Sequence, residues 1–119
     1  MSAAPELIVR CHCGRATIGL PRKPDYLNQC NCSLCTASGF RGIYYSPGDV
    51  VIEGQFDSYV RSDLRQPYLQ MLRCANCGIM THWTFLGDAP QDRMGINARL
   101  VDPALLEGIE IREVDGRSW

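Results

Sequence analysis

The sequence predicts a mainly β protein folded as one domain over residues 1–119, with only short helical turns. Three observations lead there. Short apolar or alternating runs are punctuated throughout by Gly and Pro, the pattern of strands closed by turns. No long amphipathic helical period can be written anywhere along the chain. Seven cysteines fall into three tight clusters spread from residue 11 to residue 77, so cross-links would tie distant segments into one unit.

Strands are expected at 7–9, 16–20, 43–45, 50–52, 59–61, 68–72, 79–85, 94–97 and 109–112, where β-branched, aromatic and aliphatic residues gather. Turns are marked by "PRKP" at 21–24, "SPGD" at 46–49, "EGQ" at 53–55, "GDAP" at 87–90 and "DG" at 115–116. Residues 33–37 suit a single helical turn. "DPALLEG" at 102–108 suits another, with Asp102 as cap, Pro103 in the first turn and Gly108 past the end.

Composition narrows the class. Of 119 residues, 45% are apolar and 21% charged, which suits a packed core, and the net charge is −1. No strong basic field is present to draw nucleic acid or an anionic membrane. Arg10, Arg15, Arg22 and Lys23 lie close together, but a solvated loop accounts for them. No apolar run approaches spanning length, and "MSAAPELIVR" lacks the form of a secretion signal. The expected setting is the cytoplasm, where thiols stay reduced. Seven is also an odd number, a poor fit to a disulfide framework, so metal binding becomes the leading role for the cysteines.

The spacings divide them. Cys74-x-x-Cys77-Gly78 lets one turn aim two sulfurs at one ion, and the trailing Gly tolerates a positive φ. Cys11-x-Cys13-Gly14 carries the same Gly, and residues two apart on a strand share a side. Cys11, Cys13, Cys74 and Cys77 therefore pair as a closed four-thiolate structural site, most simply for zinc. Cys30, Cys32 and Cys35, in "QCNCSLC" at 29–35, remain with no cysteine left over. Closed structural zinc has four protein ligands, whereas catalytic zinc keeps three and an open position. Two zinc ions per chain are expected, the second with a vacant place.

Other readings of the second cluster exist. The three thiols could be buried and inert, although three within six positions are hard to pack without metal. A histidine could complete the site: His12 lies between two ligands of the other ion, and His82 alternates with Trp83 on a strand. Cys32-x-x-Cys35 also has dithiol spacing, but no βαβ pattern accompanies it.

The order C-x-C-G, C-x-C-S-x-C, C-x-x-C-G resembles the glutathione-dependent formaldehyde-activating family, which also includes the centromere protein V domain. "CSLCTASG" at 32–39, "EGQFDSYVRS" at 53–62 and "RCANCG" at 73–78 are similar to segments of that family, and the likeness runs over nearly the whole chain. Asn31 stands where the family often has His, and Met71-Leu72-Arg73 where an aromatic commonly precedes the knuckle. The resemblance implies a β-tent zinc fold of antiparallel sheets. It implies a structural zinc on Cys11, Cys13, Cys74 and Cys77. It implies a second, catalytic zinc on Cys30, Cys32 and Cys35, open to a thiol.

The implied activity is a carbon–sulfur lyase step on glutathione adducts of aldehydes, as in S-hydroxymethylglutathione synthesis. The partner is then a small thiol such as glutathione, with no nucleic acid and no membrane. The competing class is a non-catalytic, zinc-stabilised protein-binding module, and a thiol sensor is the third. Three thiolates on Zn²⁺ leave a net −1, and an incoming thiolate makes it −2, so nearby cations or backbone N–H groups must offset the charge. Arg41 is the nearest in sequence, though a surface arginine is its simpler reading. Asp49, Asp57 and Asp63 read as turn or surface residues. Tyr44 and Tyr45 alternate in direction, so one could line the pocket, but core packing is the expectation for them.

Overall fold

A computed structural model describes residues 5–87 and 92–118. The chain runs β1 (Leu7–Arg10), β2 (Thr17–Leu20), β3 (Tyr26–Cys30), α1 (Ser33–Ser38), β4 (Gly42–Tyr45), β5 (Val51–Glu53), β6 (Phe56–Val60), β7 (Leu69–Cys74), β8 (Met80–Phe85), β9 (Met94–Asn97) and β10 (Glu110–Val114). Short 3-10 turns connect several of these. A three-stranded antiparallel sheet has the order β1-β2-β5, and a seven-stranded sheet has the order β10-β3-β4-β9-β8-β7-β6. The mainly β expectation matches the structure. One pairing departs from purely antiparallel sheets: β10 joins β3 in parallel, Glu110 opposite Tyr26 and Val114 opposite Cys30.

Strand alternation gives the seven-stranded sheet two different faces. Ile43, Tyr45, Met94 and Ile96 point to one side, and there meet Val9, Ile18 and Leu20 from the smaller sheet in one buried cluster. Burying each such side chain fully is worth about 1.5–3 kcal/mol. Tyr44, Trp83 and Met71 point to the other side, joined by Phe40 and by Leu34 and Cys35 of α1. The first face builds the core; the second borders the cysteine cluster of α1.

Most expected strands form, with ends shifted by a residue or two. The expected strand at 59–61 lies instead at Phe56–Val60, because its register is set by β7: Phe56 opposes Cys74 and Val60 opposes Gln70. β3 was not foreseen. Its sequence YLNQC alternates weakly, and it exists because β10 and β4 hydrogen-bond on either side. The 33–37 turn is α1, closed by Gly39 at φ 76°. Residues 103–106 form a 3-10 turn whose Asp102 side chain accepts from the Ala104 N–H, as its cap should. The expected "GDAP" turn lies outside the described residues beyond Gly87.

Candidate metal centres and the cavity beside them

The first centre joins the two sheets. The turn after β1 carries Cys11 and Cys13, Cys74 ends β7, and Cys77 lies in the turn that follows. Their four sulfurs lie within 4.8 Å of one another. Cys11 Sγ and Cys13 Sγ are 3.5 Å apart, and Cys13 Sγ and Cys74 Sγ 3.6 Å. That is far beyond a disulfide bond of about 2.05 Å. It is close to the edge of a tetrahedron with metal–sulfur bonds of about 2.3 Å. Both trailing glycines have the foreseen positive φ, 82° at Gly14 and 77° at Gly78. Each knuckle is closed by its backbone, Gly14 N–H to Cys11 O and Gly78 N–H to Cys74 O. The Ala16 N–H donates to Cys11 Sγ at 3.3 Å, stabilising a thiolate there. Hydrogen bonds from Asn76 and Arg15 bring the Cys13 pKa down to about 6.

The second centre sits where β3 passes into α1. Cys30 ends the strand, Cys32 caps the helix and Cys35 lies in its first turn, with all three sulfurs within 4.8 Å. The Cys35 N–H donates to Cys32 Sγ at 3.4 Å, and the Cys32 N–H to Cys30 Sγ at 3.5 Å. Burial works against ionising Cys32, but the Cys35 N–H, the neighbouring thiols and the Arg61 guanidinium outweigh it and lower its pKa. Cys35 is pushed the other way by burial and by its two sulfur neighbours. Such opposed shifts mark a cluster whose thiolates repel without a cation among them.

The surroundings fit a metal. Gly116, after β10, comes so close that an added Cβ would lie 2.5 Å from Cys30 Sγ. Asn31 locks that approach: its Nδ2 donates to Asp115 Oδ1 at 2.8 Å, and its Oδ1 accepts from the Arg117 N–H at 2.9 Å. Asn31 is therefore a brace between strands, not a ligand. Each cluster could hold one metal ion, and zinc is consistent with the all-thiolate donor sets.

No histidine nitrogen joins either cluster among the described residues. His12 is exposed. His82 points to the core face, away from Trp83. Its Nδ1 is 2.8 Å from Thr81 Oγ1, and its ring meets Phe56 edge-on at 5.0 Å. Burial lowers its pKa to about 4.

The cation that faces Cys32 is Arg61. It donates to Ser33 Oγ at 3.4 Å, and is held by Asp63 at 2.7 and 2.9 Å. Nothing local in sequence signals this, since Arg61 reaches the site only because β6 ends there. Arg41 lines a second, smaller pocket together with Cys30 and Cys35. Its backbone N–H bonds Asn97 Oδ1, and its Nε is buried without a hydrogen-bond partner. Asp63 is exposed, as expected of a surface residue, yet positions Arg61.

A cavity of about 650 Å³ opens beside the second centre, and Cys30, Cys32 and Cys35 all line it. Among the described residues Arg61, Arg65, Arg93 and Arg117 also line it, against the single acid Asp63. Tyr44 and Tyr45 part as alternation requires. Tyr45 is buried in the core and donates to Arg22 O at 3.0 Å. Tyr44 lines the cavity, and its hydroxyl accepts from Asn28 Nδ2 at 3.0 Å. Burial raises the Tyr44 pKa, so it keeps its proton at neutral pH.

The class these features define is a small β domain with two cysteine centres suited to metal. No family model matches the chain, and no curated protein matches it. A crystal structure of a Rhodobacter sphaeroides protein, a structural genomics target, is similar with a TM-score of 0.66 at 22% identity. The match covers 88% of this chain and 99% of that one. At that identity the likeness speaks for the fold. No helix among the described residues is long and apolar enough to cross a membrane.

Proposed function

We propose that the chain is a zinc-dependent carbon–sulfur lyase acting on glutathione or other small-thiol adducts of aldehydes, with two zinc ions per chain, in the reduced setting of the cytoplasm. This places it with the glutathione-dependent formaldehyde-activating proteins that its cysteine order resembles. The observation that carries the reading is the three-cysteine centre lining a large cavity in which, among the described residues, arginines outnumber acids four to one.

A free thiol, with pKa about 8.5, is mostly protonated at neutral pH. A zinc ion held by Cys30, Cys32 and Cys35 would keep an incoming thiol ionised. The remaining work falls to the protein. Arg61, beside Cys32, offsets the negative charge that a fourth sulfur brings. The other arginines suit the carboxylates of a peptide thiol. Tyr44 holds a proton and spends its acceptor capacity on Asn28, so its O–H is free to donate to the oxygen of an aldehyde adduct.

The test is metal content together with turnover. Native protein should carry two zinc ions. Cys32→Ser should carry one, keep the fold, and lose thiol–aldehyde adduct formation and breakdown. Full turnover with a single zinc retained would overturn the reading.

A further inference from the structure

One row of residues crosses the cavity face of the large sheet. Tyr44 of β4 opposes Gly95 of β9, Gly95 opposes Trp83 of β8, and Trp83 opposes Met71 of β7. Gly95 is what lets the row close. A Cβ there would lie 2.0 Å from Trp83 Nε1, so the indole leans over the glycine toward Tyr44. The Tyr44 and Trp83 rings stand 6.1 Å apart at 61°, and Trp83 and Phe85 5.1 Å apart at 69°. Edge-to-face contacts of this kind hold rings in place, so the wall is formed before any ligand arrives.

This wall is continuous with the second centre. Cys35 and Leu34 pack into the same apolar cluster as Phe40, Met71 and Trp83. The cations are differently placed: Arg61 faces Cys32 and Arg117 is tied to Asn31, while Arg93 lies over the Tyr44 ring, 5.6 Å from its centroid. A molecule reacting at this centre therefore meets Arg61 beside the sulfurs, Arg93 at the Tyr44 end of the aromatic row, and the Trp83 and Phe85 rings beyond it. A peptide thiol accounts for the arginines. A one-carbon aldehyde has no surface to cover the rings.

Resting on the lyase reading, we infer that the aldehyde half of the adduct is an aromatic aldehyde of about benzaldehyde size, and that Trp83, Phe85 and Leu34 form its subsite. The reaction balances without any redox partner. The thiolate sulfur forms a bond to the carbonyl carbon, the C=O π pair moves to oxygen, and that oxygen takes up one proton. The reverse step breaks the C–S bond and returns aldehyde, thiolate and proton.

The experiment uses two stable thioethers, S-benzylglutathione and S-methylglutathione, titrated calorimetrically into the metal-replete protein. The benzyl compound should bind at least tenfold more tightly, since burying a phenyl group is worth that much. Phe85→Ser, with both metal ions retained, should bring it down toward the methyl compound. The acceleration of adduct formation from glutathione over the uncatalysed reaction should be larger with benzaldehyde than with formaldehyde. In parallel, glutathione added to cobalt-substituted protein should raise a sulfur-to-metal absorption band. A band without a benzyl preference, in binding or in rate, overturns the aromatic subsite alone. No band overturns the lyase reading and the subsite with it.

Discussion

Gly116 and Cys30 lie in van der Waals conflict with any side chain but hydrogen: a Cβ at 116 would sit 2.5 Å from the Cys30 sulfur. The parallel pairing of β10 with β3 sets Val114 opposite Cys30, so the next residues of each strand must run side by side. Gly116→Ala should therefore disturb the three-cysteine centre and leave the four-cysteine centre intact. Affinity for the second zinc should fall about 10–100-fold, the usual cost of disturbing a residue that supports a ligand. Competition with a chromophoric chelator measures both sites separately. Unchanged affinity at the second site would remove Gly116 from its support.

The four-cysteine centre should behave as a folding element. A structural zinc in a small site contributes about 10–16 kcal/mol of apparent binding free energy, against about 5–15 kcal/mol for the whole stability of a domain. Cys74 is also buried in a small cluster with Cys11 and Ala16, packed by Phe56. Cys74→Ser should unfold the protein or lower its melting temperature by tens of degrees, whereas Cys32→Ser should change it little. Circular dichroism melts with metal counts distinguish the two, and equal losses would refute the division of roles.

Tyr44→Phe removes one oxygen from the cavity and leaves the ring packing in place. Turnover should drop about 100-fold, at the lower end of what a proton donor contributes, with zinc content unchanged. Glycine at 42 matters for the same hydroxyl, because a Cβ there would meet Tyr44 Oη at 2.5 Å. Gly42→Ala should reproduce part of the loss. A Tyr44→Phe enzyme at full speed would remove the hydroxyl from the chemistry.

Arg61→Gln should weaken thiol binding about tenfold, the scale of one charge-assisted hydrogen bond. The native affinity should fall with added salt, and the variant's should fall less, because its charge contribution is gone. Both zinc ions should stay. Thiol titrations at two ionic strengths give the comparison, and an identical salt response would acquit Arg61.

His82 makes stability depend on pH in a defined direction. Its folded pKa, about 4, lies below the ordinary 6.5 because the ring is buried. The unfolded chain therefore takes up a proton first as pH falls. Stability from this residue is complete above about 6.5 and is lost between 6.5 and 4. The whole effect is at most about 3 kcal/mol, at 1.36 kcal/mol per pKa unit. The difference between native protein and His82→Gln in denaturant unfolding, followed from pH 7.5 to 5, should shrink as pH falls. A constant difference would show that His82 titrates normally in the fold.

Much of the site could be read locally. The spacing of "CHCG" and "CANCG" carries its own geometry, since glycine takes a positive φ after the last cysteine at no steric cost, and Gly14 and Gly78 both adopt it. The strand at residues 94–97 has the bounds its sequence suggested. The three-cysteine cluster was visible for the same reason: its ligands lie within one strand end and one helical turn. The residues that surround it were not visible. Arg61 follows a strand whose register belongs to β7, and the "DG" at 115–116 looked like any turn. The polar Asn28 and Gln29 disguised β3.

By itself the sequence determined the mainly β class and the division of seven cysteines into four and three, because turn chemistry and ligand spacing act over a few bonds. Tertiary structure decided which side chains meet the second centre. The pairing of β10 with β3 brought Gly116 to Cys30. The end of β6 brought Arg61 to Cys32, and the row Tyr44–Gly95–Trp83 built the aromatic wall. These are long-range contacts fixed by strand register and by close packing, and neither quantity is written in any short stretch of chain.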